Sequence, residues 1–262
     1  MAALIRPWGK MHYRVDGPAE GTPVVFANSL GTDLRLWDDV IRLMPEIRAI
    51  RFDKRGHGLS DLGGAVTIAD YADDAAALIE ALLSKGERVI FVGLSIGGLI
   101  AQALASARPD LVQAVVISNS AAKMGNAESW EARIAAIRAG GIESIADAVM
   151  ERWFAPKFRA TPELAIWRNM MTRSDVEGYI AACGALAAAD QTEATRQLAL
   201  PAMVVVGDQD GASPPDLVKA TADLIQGATF HILPEVGHLP PVEDAPAMVA
   251  LLRAFIKDTA DV

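Results

Sequence analysis

The chain holds a single cysteine, Cys183, in 262 residues. One thiol can neither close an internal disulfide nor build a thiolate metal cage. It sits in an Ala-rich stretch of helical character, where a free Cys behaves as a small buried hydrophobe. Runs of Lys or Arg are also missing, and the formal net charge is −9. Nucleic acid and anionic membranes are therefore poor partners. The same charge repels an anionic substrate at long range, so such a substrate needs local cations. No stretch approaches the ~20 apolar residues of a membrane span. The opening apolar run is cut by Arg6 and Pro7, too early for a secretory leader. A cytoplasmic location is the expectation. No His, Cys and carboxylate cluster has ligand spacing, so no metal or cofactor is expected.

What the chain has is a globular composition, 52% hydrophobic and 22% charged, with length for one large domain. Short β-branched apolar runs at residues 24–27, 49–52, 89–92, 114–118, 203–206 and 229–233 read as buried parallel strands. Residues 3–6 and 11–15 fit an antiparallel start to the same sheet. Helical patterns over 68–83, 95–107, 216–225 and 245–257 alternate with these runs. That alternation predicts a three-layer α/β fold around a mostly parallel sheet. It stops between 121 and 198, where only helices are expected, over 127–139, 142–154, 162–171 and 175–188. Residues 121–198 thus read as a helical cap inserted in a core made of 1–120 and 199–262.

Gly93-Leu94-Ser95-Ile96-Gly97 is a G-x-S-x-G motif between a predicted strand and a predicted helix. That setting makes it a nucleophile elbow. A sharp turn would lift the Ser95 hydroxyl above the sheet, with two glycines giving the room. Serine needs a base to become a nucleophile. Of His12, His57, His231 and His238, only the last two follow Ser95 closely enough to the end of the chain for the order Ser, acid, His. Only His238 lies on a loop. His57, in a Gly-flanked turn, reads as a turn residue rather than the base. The acid should follow the penultimate strand, where Asp208 and Asp210 compete. The oxyanion of an acyl transfer needs preorganised N–H donors. Ile96, just after the nucleophile, and Leu30, in the loop after the third strand, are the candidates.

Several stretches carry a resemblance. They are residues 28–37 (Asn28-Ser29-Leu30-Gly31-Thr32-Asp33-Leu34-Arg35-Leu36-Trp37), residues 52–61 (Phe52-Asp53-Lys54-Arg55-Gly56-His57-Gly58-Leu59-Ser60-Asp61), the elbow through Leu99, residues 118–125 (Ser118-Asn119-Ser120-Ala121-Ala122-Lys123-Met124-Gly125), Glu151-Arg152-Trp153-Phe154 and the loop at 207–215. Through them the chain resembles the α/β-hydrolase superfamily over nearly its whole length, and within it the 3-oxoadipate enol-lactonases. The resemblance implies the α/β-hydrolase fold with an eight-stranded sheet, and favours Asp210 as the acid beside Ser95 and His238. It implies hydrolysis of a small enol-lactone bearing a carboxymethyl arm to 3-oxoadipate, in the β-ketoadipate pathway of aromatic catabolism. The partner would be a small-molecule lactone or ester. Its carboxylate needs a counter-charge, which Arg133 near Trp130, or Arg152 beside Trp153, would supply. Ser29, Trp130, Arg133 and Trp153 are the substrate-contact candidates. A general carboxylesterase, a cofactor-free perhydrolase and a small-molecule receptor with slow turnover share these motifs.

Overall fold

The apolar runs pair into one eight-stranded sheet in the computed structural model, which describes residues 1–260. The strands are β1 (Ala2–Arg6), β2 (Gly9–Asp16), β3 (Pro23–Ala27), β4 (Arg48–Phe52), β5 (Val89–Leu94), β6 (Val112–Ser118), β7 (Ala202–Gly207) and β8 (Thr229–Leu233). Their spatial order is β1-β2-β4-β3-β5-β6-β7-β8. β2 runs antiparallel to both β1 and β4, and every later pairing is parallel. β5 and β7 are buried along their whole length. Helices cover both faces of a parallel sheet, so its central strands are apolar runs rather than alternating patterns.

The helices are α1 (Asp38–Leu43), α2 (Ile68–Leu82), α3 (Ile96–Ala107), α4 (Ala127–Gly140), α5 (Ala146–Trp153), α6 (Pro156–Arg159), α7 (Leu164–Thr172), α8 (Val176–Ala188), α9 (Thr192–Arg196), α10 (Pro215–Ala222), α11 (Pro240–Glu243) and α12 (Ala245–Ala260). Thr67 caps α2 through a reciprocal box with Asp70, which satisfies N–H groups the first turn leaves free. Between β6 and β7 the chain forms helices and no strand. Two details differ from the sequence reading. The helix expected over 142–154 divides into a 3₁₀ turn at Ile142–Ile145 and α5, with Ile145 at φ −108°, ψ −7° between them. The helix expected from residue 162 starts at Leu164, and α6 and α9 are additional. Among the described residues no helix is long and apolar enough to cross a membrane.

The stretch Arg152–Ala155, at the end of α5, is sewn to two core loops. Gly211 N donates to Arg152 O at 3.1 Å, and His238 N donates to Trp153 O at 2.6 Å. Glu243 then bridges them, accepting from Ala155 N and Gly237 N, each at 2.9 Å. The helical insert is thus fixed beside the C-terminal ends of β7 and β8, the edge where ligands bind in open parallel sheets.

Candidate active site

β5 ends in a turn that places Ser95 at φ 59°, ψ −120°, a backbone region that side-chain-bearing residues rarely adopt. A Cβ on Gly93 would lie 2.0 Å from Gly97 O, and one on Gly97 would lie 2.3 Å from Ala27 O. Both positions therefore need glycine for the turn to close. Ser95 N donates to Ser118 O at 2.9 Å, and Ser120 Oγ donates to Ser95 O at 2.6 Å. The elbow is locked from the β6 side. Ser95 heads α3, whose first N–H groups and dipole favour negative charge.

The loop after β7 carries Asp210, and the loop after β8 carries His238. Asp210 Oδ2 accepts from His238 Nδ1 at 2.8 Å, and both side chains are buried. Asp210 is further held by Asn119 Nδ2 at 2.9 Å and by Ser213 Oγ at 3.0 Å on the same oxygen. On its other oxygen it accepts from Ala212 N at 2.7 Å and Ser213 N at 2.9 Å. Burial pushes this carboxyl up, but the facing His238 and these hydrogen bonds outweigh it and hold it below the usual range. The ionised Asp210 leaves His238 Nδ1 as donor and Nε2 as the free nitrogen. Asp208, the competing acid, is exposed.

The loop after β3 is braced from within. Asn28 Nδ2 donates to Thr32 O at 2.5 Å, and Thr32 Oγ1 donates to Ser29 O at 2.9 Å. From below, Asp53 accepts Leu34 N at 2.8 Å and Leu59 N at 2.9 Å. The Asp53–Gly58 turn is thus a support for this loop. His57 belongs to that support. Its Nδ1 lies 3.3 Å from Arg55 O, its Nε2 is buried without a partner, and burial, then Lys54, pushes its pKa well below the usual value. His12 pairs with Asp53 instead, at 2.8 Å, and His231 lies on β8.

Ser29, Leu30, Ser95 and His238 line one cavity of about 140 Å³. Trp130, Arg133, Arg152 and Trp153 of the insert line it from the other side. Every expected substrate contact therefore meets Ser95 and His238 in one space. Ile96, the other expected oxyanion donor, is the first residue of α3, so its N–H has no intrahelical acceptor. The Trp153 ring stacks on the His238 ring, centroids 6.3 Å apart. Arg133 lies over the Trp130 ring at 4.8 Å, a cation–π contact. Trp130 Nε1 is fixed by Met124 O at 2.7 Å, and Arg152 Nε by Gly211 O at 3.1 Å. Among the described residues neither arginine pairs with a carboxylate, unlike the neighbouring Arg138, Arg159 and Arg168. Partial burial and then repulsion from Arg133 pull the Arg152 guanidinium below its usual value. Two unpaired cations beside one small cavity favour an anion there. A wider open groove of about 1000 Å³ runs along β2, the Asp53–Ser60 turn and α7, and contains none of these groups.

Four residues of this site had no role in the sequence reading. Asn119 and Ser213 hold Asp210. Lys54 is buried under the loop after β3, donating to Ser29 O at 2.6 Å and Thr32 O at 3.4 Å, and burial lowers it to about 7. Glu243 joins the insert to the His238 loop, and burial raises it to about 7. Cys183 is a free buried thiol of α8, far from reactive form because burial pushes it up to about 12.

Residues 24–251 match the model of the α/β-hydrolase family. The chain is 32% identical over 251 residues to 3-oxoadipate enol-lactonase 2 of Acinetobacter baylyi, covering 94% of this chain and 93% of that protein. The crystal structure of the enol-lactonase from Burkholderia xenovorans superposes with a TM-score of 0.93 at 33% identity, covering 98% of this chain and 100% of that one. A thermophilic esterase from Thermogutta terrifontis, solved with malate bound, gives a TM-score of 0.89 at 28% identity over 96% of this chain and 94% of that one.

Proposed function

The chain belongs to the α/β-hydrolase family, and on that premise we propose that it is a serine hydrolase opening 3-oxoadipate enol-lactone, with Ser95, His238 and Asp210 as its triad. Ser95 Oγ attacks the lactone carbonyl while His238 Nε2 takes its proton. The N–H groups of Leu30 and Ile96 receive the oxyanion. The ring C–O bond then breaks, and its oxygen leaves as an enolate, a better leaving group than an alkoxide. It takes the proton back from His238 and tautomerises to the ketone. Water, deprotonated by His238, attacks the acyl-Ser95 ester and releases 3-oxoadipate. The carboxymethyl arm pairs with Arg133, against the Trp130 wall, with Arg152 adding charge at the cavity mouth. Residues 121–198 act as the cap that supplies this anion site.

The observation that carries the substrate class is the pair of unpaired arginines facing the Ser95–His238 cavity. A neutral ester gives no reason to leave them so. The enol-lactonase relatives support the finer identity, and the esterase likeness keeps a general carboxylesterase as the second reading. A panel of the enol-lactone, p-nitrophenyl esters and a peracid assay divides them. The proposal expects kcat/KM for the enol-lactone to exceed that of the neutral esters. Fast ester hydrolysis with no enol-lactone turnover would defeat it.

A further inference from the structure

The peptide linking Ser29 to Leu30 is loaded with donors on its carbonyl side. Ser29 O accepts from Lys54 Nζ at 2.6 Å, Thr32 Oγ1 at 2.9 Å and Thr32 N at 3.3 Å. A carbonyl oxygen has two lone pairs, so three donors exceed what burial alone demands. Lys54 is the costly one. It is 1% exposed, and its neighbouring carboxylates pair elsewhere, Asp53 with His12 and Asp33 with Arg35. An ammonium held in the interior by carbonyls alone carries a desolvation penalty that Thr32 avoids. Among the described residues all peptides are trans, so the Leu30 N–H points opposite to the Ser29 carbonyl. It therefore points away from Lys54. Ser29 and Leu30 lie on the wall shared with Ser95 and His238.

We infer that Lys54 is a positioning residue of the oxyanion hole, its ammonium fixing and polarising the Ser29–Leu30 peptide so that the Leu30 N–H binds developing negative charge more strongly. Hydrogen bonding to one end of a peptide strengthens donation at the other. The benefit grows with charge on the substrate oxygen. It therefore appears in the transition state and hardly in the Michaelis complex. The inference rests on the reading of Ser95 as nucleophile and Leu30 as oxyanion donor.

Lys54→Met tests it, because Met keeps the apolar stem and the two Thr32 donors still satisfy Ser29 O. Measured below the Lys54 value of about 7, where the ammonium form dominates, turnover of the enol-lactone or a p-nitrophenyl ester should lose about 10–100-fold in kcat, with KM within about threefold. Affinity for an alkylboronic acid, which forms a tetrahedral adduct on serine, should fall by a similar factor. Affinity for the product carboxylate should hold. A brace with no electrostatic role would instead lower the melting temperature and leave the boronate-to-product ratio alone. Wild-type kcat and boronate affinity in folded Lys54→Met would overturn the inference. Should that variant fail to fold, Lys54→Gln keeps a neutral polar donor beside Ser29 O and removes only the charge. A smaller loss, about 3–10-fold and again confined to kcat and boronate binding, is then expected, and an unchanged kcat overturns the inference. Ser95→Ala, measured beside them, separates the two levels. Retained turnover there removes the premise, whereas abolished turnover with an unaffected Lys54→Met defeats the Lys54 role alone.

Discussion

Replacing Asp210 by asparagine turns a set of hydrogen bonds into a test of tautomer control. One Asp210 oxygen faces the N–H groups of Ala212 and Ser213, at 2.7 and 2.9 Å. Backbone donors cannot reverse. Turning the new amide NH₂ toward them would leave a buried N–H group (Ser213) and a part-buried one (Ala212) unpaired, at about 1–3 kcal/mol for the buried one. The amide oxygen therefore stays there, and the NH₂ takes the place of Oδ2, opposite His238 Nδ1. Nδ1 can then only accept, so the ring proton moves to Nε2 and the base is lost. Asn119 keeps Gly237 O as an acceptor at 3.1 Å, and Ser213 Oγ keeps Asn119 O at 2.7 Å, so the fold survives with about 1–3 kcal/mol of lost stability. The expected fall in kcat is about 10⁴-fold, equivalent to about 5.5 kcal/mol of transition-state stabilisation. Steady-state kcat at constant pH, with urea unfolding as the control for integrity, reads both quantities. A folded Asp210→Asn enzyme within tenfold of wild type would refute the tautomer argument.

Three further outcomes follow from the same geometry. Arg133→Leu should raise KM for a carboxylate-bearing lactone about 10–100-fold and leave a neutral p-nitrophenyl ester nearly unchanged; equal effects on both would remove the arginine from anion binding. Gly93→Ala drives a Cβ to 2.0 Å from the backbone oxygen of Gly97, so a loss of about 3 kcal/mol or more is expected in urea unfolding, and near-wild-type stability would contradict the packing at the elbow. Burial lifts Glu243 from 4.5 to about 7 in the folded state, so the folded chain holds a proton that the unfolded chain has released between those values. Its contribution is complete below about pH 4.5 and is lost as the pH rises through 7. Glu243→Gln should flatten the stability–pH curve across that window, and a slope equal to wild type would mean that the carboxyl titrates as if exposed.

The middle of the sheet is readable because parallel strands buried on both faces leave unbroken apolar runs, and β3 to β7 fall on such runs, whereas β1, β2 and the edge strand β8 are largely exposed or half-buried. The elbow was readable because two glycines, a strand and a helix flank one serine. The carboxylate that faces His238 is harder to read. Asp208 and Asp210 stand two residues apart in one loop, and which of them reaches His238 depends on how that loop turns against Asn119, 91 residues distant from Asp210 in sequence. Long-range partners of this kind leave no periodic signal. Lys54 lies in a Gly-rich turn and reads locally as a solvated cation, yet the close approach of the 28–32 loop buries it. Glu243 follows two prolines and reads as a surface helix residue, yet the insert folds over it. In the insert, short helices broken by Gly141 and Pro156 depend on packing against the core more than on propensity, so their helical character is legible in the sequence and their exact bounds are not.

Ser95, in the cavity it shares with His238, is the proposed nucleophile on which the whole reading turns. Fluorophosphonate labelling followed by peptide mass spectrometry tests it most directly. A single adduct is expected on the peptide containing Ser95 in the folded wild-type protein, absent in Ser95→Ala and strongly slowed in Asp210→Asn. Labelling that persists in Ser95→Ala, or folded wild-type protein that takes up no label, would contradict it.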